Sequence, residues 1–389
     1  MLRDNAGAYQ ADSGNIKKMK YLIVYASAGA GHKKAADAIY EALTVKIGKK
    51  DVAIVDSLDY TNRFFRWSYS KEYLALVSYL PGVWGFFYYL FDNRFIYKLI
   101  WLSRRLTNAI NCRGFEEFVR LSKPEVVIST HFMANEIVSR MKRKGKIDCK
   151  LFCAVTDYRL HSFWLAPNVD GYFVAIEDTK NDLTKRGVPA DKVHITGIPI
   201  SPRFSIHLDK QKTQVKLGLN IGLFTVLIIG GGFGVGPIEE LVKKIGSLKL
   251  NVQFMIVCGH NEELCEKMKA LVSVLGIKAQ VYGFVDNVYE LMSASDILVT
   301  KSGGLTSSEA LAKGLPAIFI KPIPGQEMRN SRSLETKNAA VMAKDVNFVS
   351  IKIKELFENP DTLNKMNAAV KKIARPNSAN DIVKIITCM

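Results

Sequence analysis

Three glycine-rich segments each follow a β-branched run and precede a helical pattern, where backbone N–H groups are free to meet an anion. The first, Ser27-Ala28-Gly29-Ala30-Gly31-His32, ends on a histidine. An imidazole titrates near neutral pH, so His32 suits a general base for an acceptor hydroxyl; a helix cap or a surface residue is the other reading. Gly29 and Gly31 leave room beside it for a phosphate or a lipid headgroup. The second, Gly230 to Pro237, has Pro237 where a first helical turn tolerates it, and Gly232 and Gly234 allow a diphosphate to come close. The third, Thr300-Lys301-Ser302-Gly303-Gly304-Leu305-Thr306-Ser307-Ser308-Glu309, opens a helix whose unpaired N–H groups and positive dipole end can hold a diphosphate. Glu309, one to two turns in, is placed for ribose hydroxyls and poorly placed for phosphate, which argues for a sugar nucleotide over a bare anion. Gln326 and Glu327, after the next strand, offer an amide and a carboxylate to hexose hydroxyls.

Rival chemistries lack their residues. In a dinucleotide fingerprint the third glycine would fall at Lys34, and Asp56 lies 27 residues past Gly29 instead of about 20. The second segment has no G-K-[ST] ending, so a P-loop is not indicated, and no D-x-D pair offers a metal bridge. The six cysteines form no C-x-x-C pair and read as reduced thiols.

Short β-branched runs alternating with helical patterns indicate parallel α/β sheets. Two series of strands are expected, at 21–27, 51–56, 125–130, 151–157, 171–176 and 193–197, then at 224–230, 252–258, 279–283, 296–300, 317–320 and 339–342. Gly197 to Arg203 separates them, because Pro199 and Pro202 lack donors and fix their own φ. The expected class is α/β with two doubly wound domains, 20–200 and 201–375, after a disordered polar tail 1–19. Facing sheets would put the C-terminal strand ends on an interdomain cleft.

Charge and aromatics point to a partner. The 54 basic against 37 acidic residues leave +17, which favours phosphate, nucleic acid or an acidic membrane surface. No nucleic-acid reader motif is present. Of the 39 aromatic residues, 16 fall in Tyr60–Trp101, interleaved with Arg63, Arg66, Lys71, Arg94 and Lys98. The uncharged run Tyr73–Phe91 is long enough to span a bilayer, but Pro81, Gly82 and Gly85 interrupt it and the rings form no end belts. Such rings and cations suit a segment lying on a membrane through Trp84, Phe86, Phe87 and Tyr88; an aromatic core helix pair is the other reading. The first 20 residues lack an apolar signal region, so a cytoplasmic location is expected.

Four ordered motifs carry a resemblance: S-x-G-A-G-H-x-x-A-A at Ser27–Ala36, G-G-G-x-G-x-G-P at Gly230–Pro237, S-G-G-x-T-x-x-E at Ser302–Glu309 and P-G-Q-E-x-x-N at Pro324–Asn330. Together they resemble the monogalactosyldiacylglycerol synthase and processive diacylglycerol glucosyltransferase family, relatives of the peptidoglycan transferase that uses a lipid-linked acceptor. The resemblance implies a GT-B fold and inverting transfer of a hexose, glucose before galactose, from a UDP-sugar to diacylglycerol by a peripheral enzyme on the inner face of the membrane. It implies a base or acceptor role for His32, uracil contacts at Gly283, Phe284 and Val285, and diphosphate contacts at Ser302, Gly303, Gly304 and Thr306. Glu309 would meet ribose, and Gln326, Glu327 and Asn330 belong to the donor-sugar segment. His260 and Asn261 stand where a basic residue and Asn commonly follow C-G in relatives, and Asp157 and His161 fall in the cleft unless they serve as strand-end caps. The C-terminal stretch 376–389 would pack on the N-terminal domain. No cofactor or metal is implied beyond the donor. A polyprenyl-linked acceptor and a non-catalytic sugar-nucleotide sensor are the alternatives, and the sequence sets no oligomeric state.

Overall fold

A computed structural model describes residues 18–27, 29–69, 79–232 and 236–388. The tail up to residue 17, part of the aromatic run (70–78) and Gly234 lie outside the described residues. The chain forms two compact units: residues up to Pro202 with Pro324–Gln326 and Asn377–Met389, and Arg203–Ile323 with Glu327–Pro376.

In the first unit β1 (Tyr21–Tyr25), β2 (Val52–Asp56), β3 (Val126–Ser129), β4 (Lys150–Ala154), β5 (Gly171–Val174) and β6 (Val193–Ile195) make a parallel sheet in the order β2-β1-β3-β4-β5-β6. Ile23 pairs with Ile54 on one side and Ile128 on the other. Both faces are covered, so the strands are apolar throughout and alternate residues enter different cores. Leu22, Val24, Leu151 and Cys153 pack with Phe115 and Ile137, whereas Ile23, Phe152 and Phe173 pack with Ile39. Ala379, Ile382, Val383 and Ile386 of the C-terminal helix Ser378–Cys388 join the second core, beside α1 (Ala30–Ile47).

All expected strands are present, but several stop early: β1 at Tyr25 instead of Ser27, β4 at Ala154 instead of Asp157. Ala26 and Val155 are fully buried, so the apolar pattern continues past the last ladder pair while the backbone has already turned into a loop.

Pro81 does not break the aromatic run; it opens α2 (Pro81–Asp92), occupying a first-turn position that needs no donor. Asn93 then caps α3 (Arg94–Asn111), accepting from Phe95 N–H at 3.0 Å. Asp92 ties the end of α2 to Ser162 (N–H, 2.7 Å) and Arg186 (3.1 Å). α3 leads through α4 (Arg113–Ser122) to β3, and α5 (Phe132–Arg143) follows β3. On its inner side α3 places Arg104 on Glu136 of α5 at 2.6 Å. Among the described residues no helix is long and apolar enough to cross a membrane.

The second unit has β7 (Phe224–Ile229), β8 (Val252–Val257), β9 (Ala279–Tyr282), β10 (Ile297–Thr300), β11 (Ala317–Ile320) and β12 (Ala340–Ala343), again parallel, in the order β12-β11-β10-β7-β8-β9. The strand order reverses beside β1 in the first sheet and beside β7 in the second, and open α/β sheets bind ligands in the loops past such points.

Candidate active site

At the first switch point, α1 begins at the glycine turn with Gly29 as its cap residue. No side chain caps it and its first turn carries no acid, so its leading N–H groups face outward unpaired by the helix. A Cβ built on Gly29 or Gly31 meets nothing within 4 Å, so these glycines border open space. His32 lies in this turn. Its Nδ1 is 2.8 Å from the Thr130 carbonyl and 3.2 Å from the Thr156 hydroxyl, and Thr130 Oγ1 donates to the His32 carbonyl at 2.9 Å. A carbonyl only accepts, so Nδ1 carries the hydrogen and Nε2 the lone pair. Burial holds the imidazole down to about 4, against the Thr130 hydrogen bond that favours its charged form.

His131 crosses His32 edge to face, ring centroids 4.6 Å apart, and Trp164 stands 6.1 Å away. Asp157 accepts from the Trp164 indole at 3.3 Å. His161 has both ring nitrogens on backbone: Nε2–H donates to the Tyr88 carbonyl (3.0 Å) and Nδ1 accepts from Phe163 N–H (3.2 Å). It thereby fixes α2 and the loop after β4. Sequence reasoning missed the roles of Thr130, His131 and Thr156; the signal was available, since all three lie within two residues of the end of β3 or β4.

The aromatic helices turn two faces. Tyr88 is a correction to the expected membrane set: it is buried, its ring 4.4 Å from His161. Trp84 is half-buried, while Phe86 and Phe87 are exposed. An unforeseen row continues on α3, where Phe95, Leu99, Leu102, Leu106 and Ile110 are exposed at helical spacing.

At the second switch point the work falls to backbone. Gly259, φ +63°, passes so close to the preceding loop that a Cβ would sit 2.5 Å from the Gly232 carbonyl, which accepts from His260 N–H at 2.9 Å. His260 stacks on exposed Phe284 at 4.1 Å and 12°. Gly283 borders the Gly259 carbonyl, and Val285 beside it is half-buried. Asn261 caps the helix Glu262–Leu275 through Leu264 N–H (2.9 Å).

After β10, Gly303 caps α6 (Gly304–Ala312) without a side-chain bond, leaving the N–H groups of Gly304, Leu305 and Thr306 without helical partners. The Ser302 hydroxyl does not join them. It is fully buried and donates to the Glu327 carbonyl (2.7 Å), while Asn330 donates to the Ser302 carbonyl (3.2 Å). Glu327 accepts from Ile323 N–H (2.9 Å); burial pushes its carboxyl up, and that bond and the Lys301 cation pull it back. Lys301 was also missed from sequence. Glu309 is buried on α6, Thr306 is half-buried, and Gln326 opens the helix Gln326–Glu335. Among the described residues no His, Cys, Asp and Glu group is arranged to hold a metal ion.

Two doubly wound parallel sheets in series, each with a glycine-opened helix at its switch point, define the GT-B architecture of sugar-nucleotide enzymes. The fold is similar to MurG of Acinetobacter baumannii (TM-score 0.62, 16% identity, 95% of this chain and 100% of that one). It is also similar to UDP-GlcNAc 2-epimerase of Neisseria meningitidis bound to UDP-GlcNAc (TM-score 0.60, 15% identity, 95% and 100%). Residues 32–200 match the monogalactosyldiacylglycerol (MGDG) synthase family and residues 225–383 the glycosyltransferase family 28 C-terminal domain. Over 375 residues the chain is 32% identical to the processive diacylglycerol β-glucosyltransferases of Bacillus cereus (strain B4264) and Bacillus mycoides (strain KBAB4), covering 95% of this chain and 94% of each relative. The chain belongs to this family of diacylglycerol glycosyltransferases.

Proposed function

We propose that the protein moves glucose from UDP-glucose to diacylglycerol, with inversion at the anomeric carbon, as a peripheral enzyme on the inner face of the cell membrane. The names of the Bacillus relatives support donor sugar and acceptor. The observation that carries the chemistry is the His32 tautomer, neutral and with its lone pair on Nε2. The acceptor hydroxyl gives its proton to Nε2 as its oxygen bonds the anomeric carbon. The bond from that carbon to the β-phosphate oxygen breaks, and its electron pair leaves with UDP.

The first unit takes the acceptor. Gly29 and Gly31 admit the headgroup, Asp157 and His161 shape the loop beside it, and Phe86, Phe87 and the α3 row rest in the bilayer interface. The second unit takes the donor. The N–H groups from Gly303 to Thr306 receive the diphosphate, and Lys301 adds a charge to the leaving group. Glu309 reads the ribose, Glu327 the hexose, and the backbone of Gly283, Phe284 and Val285 the uracil beside His260. Gly232 gives the diphosphate room, while Ser302, Asn261 and Asn330 hold these loops in shape. No metal is called on.

The test supplies purified protein with anionic liposomes containing diacylglycerol and either UDP-glucose or UDP-galactose, and follows lipid products by mass spectrometry. Glucosyl-diacylglycerol is the expected product. Donor binding without any glycolipid would overturn the reading, and product only with UDP-galactose would change the sugar.

A further inference from the structure

We propose that His131 does two separable jobs with one ring: its Nδ1 caps α5, and its ring, lying across His32, orients that imidazole so that Nε2, not Nδ1, meets the acceptor hydroxyl. His131 is thus a positioning residue, and its role rests on the reading of His32 as base.

Three constraints converge on the His32 ring. Thr130 takes the Nδ1 hydrogen at 2.8 Å and returns a hydrogen bond to the His32 carbonyl at 2.9 Å, which fixes one edge and the backbone. The Thr156 hydroxyl lies 3.2 Å from the same nitrogen. Both hold the Nδ1 edge. The ring itself is walled by His131, lying across it at 84° with centroids 4.6 Å apart, with Trp164 farther off at 6.1 Å.

His131 is itself immobile. Its backbone N–H donates to the Ser129 hydroxyl (3.3 Å), the same hydroxyl donates to its carbonyl (2.7 Å), and Nδ1 accepts from Met133 N–H (3.2 Å). Its ring is buried, with Phe132 at 4.2 Å and Tyr69 at 6.0 Å. Because Nδ1 is an acceptor, the hydrogen sits on Nε2 and the ring is neutral. A second proton would break the cap, and would set a cation against His32 whenever that ring takes up the acceptor's proton.

The other charged groups around this pair agree. Arg104 of α3 lies over the Phe132 ring (6.0 Å) and is itself held by Glu136, one turn along α5. Asp157 is engaged by Trp164. Burial, then His32, then Arg104 all press His131 toward its neutral form.

Two substitutions separate the jobs. His131→Asn keeps an N-cap acceptor and removes the ring. Its melting temperature should fall by a few degrees, because the buried ring leaves a cavity, while kcat falls roughly 100-fold at unchanged KM for UDP-glucose, the loss expected when a reacting group is misplaced by an ångström or so. Water admitted beside His32 should also move the acid limb of kcat upward, from near 4 toward the ordinary histidine range. His131→Phe keeps the ring wall and loses the cap: kcat should fall within about threefold, and melting by about 2 to 4 °C. Wild-type kcat and pH profile in His131→Asn would overturn the positioning role, as would a Phe variant no more active than the Asn variant. His32→Ala is the control: turnover retained there overturns the base reading itself, whereas turnover lost there but kept in His131→Asn overturns only the proposal made here.

Discussion

The two loop clusters hold their chemistry in opposite ways. In the first unit the functional atoms sit on rings, His32 against His131 and Trp164, and Nδ1 of each histidine is tied to a backbone partner. In the second unit the loop side chains Ser302 and Asn261 are occupied locally, by the Glu327 carbonyl and Leu264 N–H, and one Glu327 oxygen accepts from Ile323 N–H. Glycine-exposed backbone is left to face the diphosphate. The difference follows the two tasks. Moving one proton needs one atom with a set proton affinity, which only a packed, desolvated side chain provides. Holding a diphosphate needs several donors around a spread charge, which a helix start provides without burying a cation.

Substitutions in each cluster can break or sharpen that contrast. The largest effect belongs to the ring side: His32→Ala should cut kcat by about 100- to 10,000-fold while the calorimetric affinity for UDP-glucose stays unchanged. Next, Phe86→Ser with Leu99→Ser should weaken liposome binding by roughly 10- to 1,000-fold in a flotation assay, each side chain withdrawing about 1.5 to 3 kcal/mol of burial when complete, without changing UDP affinity. On the backbone side, Glu309→Ala should weaken UDP-glucose binding by roughly tenfold, read by calorimetry, because a ribose contact to a carboxylate contributes about 1.5 kcal/mol or more. An acid titration tests the rings again. The imidazole of His32 is at about 4 in the folded chain against 6.5 when free, so the unfolded chain binds more protons between those values and stability falls as pH drops through that window. Chemical denaturation at pH 7 and pH 5 should differ by on the order of 1 to 2 kcal/mol from this residue, a difference that His32→Ala removes. Smallest is Ser302→Ala: about 0.5 to 1.5 kcal/mol of stability should go, with UDP affinity changed less than about threefold, since the hydroxyl bonds the protein and not the ligand.

Much of the fold was legible because parallel strands covered on both faces are apolar throughout, and such runs stand out between helical patterns. Strand ends were less so: Ala26 and Val155 are buried whether or not they pair, and burial is all that an apolar residue announces. The aromatic segment misled twice. Pro81 read as an interruption but starts a helix, and Tyr88 read as a membrane ring but turns inward to His161. The outward row from Phe95 to Ile110 was available in its spacing, yet the clustered rings upstream drew the reading away from it.

The glycine turns and their order along the chain were set by the sequence alone, because a residue without Cβ at a strand end permits an anion's approach wherever the chain folds as a sheet. So were the identities of His32 and Glu309 as candidates. Which nitrogen of His32 is free, and that Ser302 faces inward, were decided by tertiary structure. Thr130 is 98 residues from His32 and Glu327 is 25 from Ser302, and only the pairing of β1 with β3 and the return of the chain after β11 bring those carbonyls within hydrogen-bond reach. A side chain's type fixes the bonds it can make; the partner it meets, and so the proton it keeps, is fixed by what the fold places beside it.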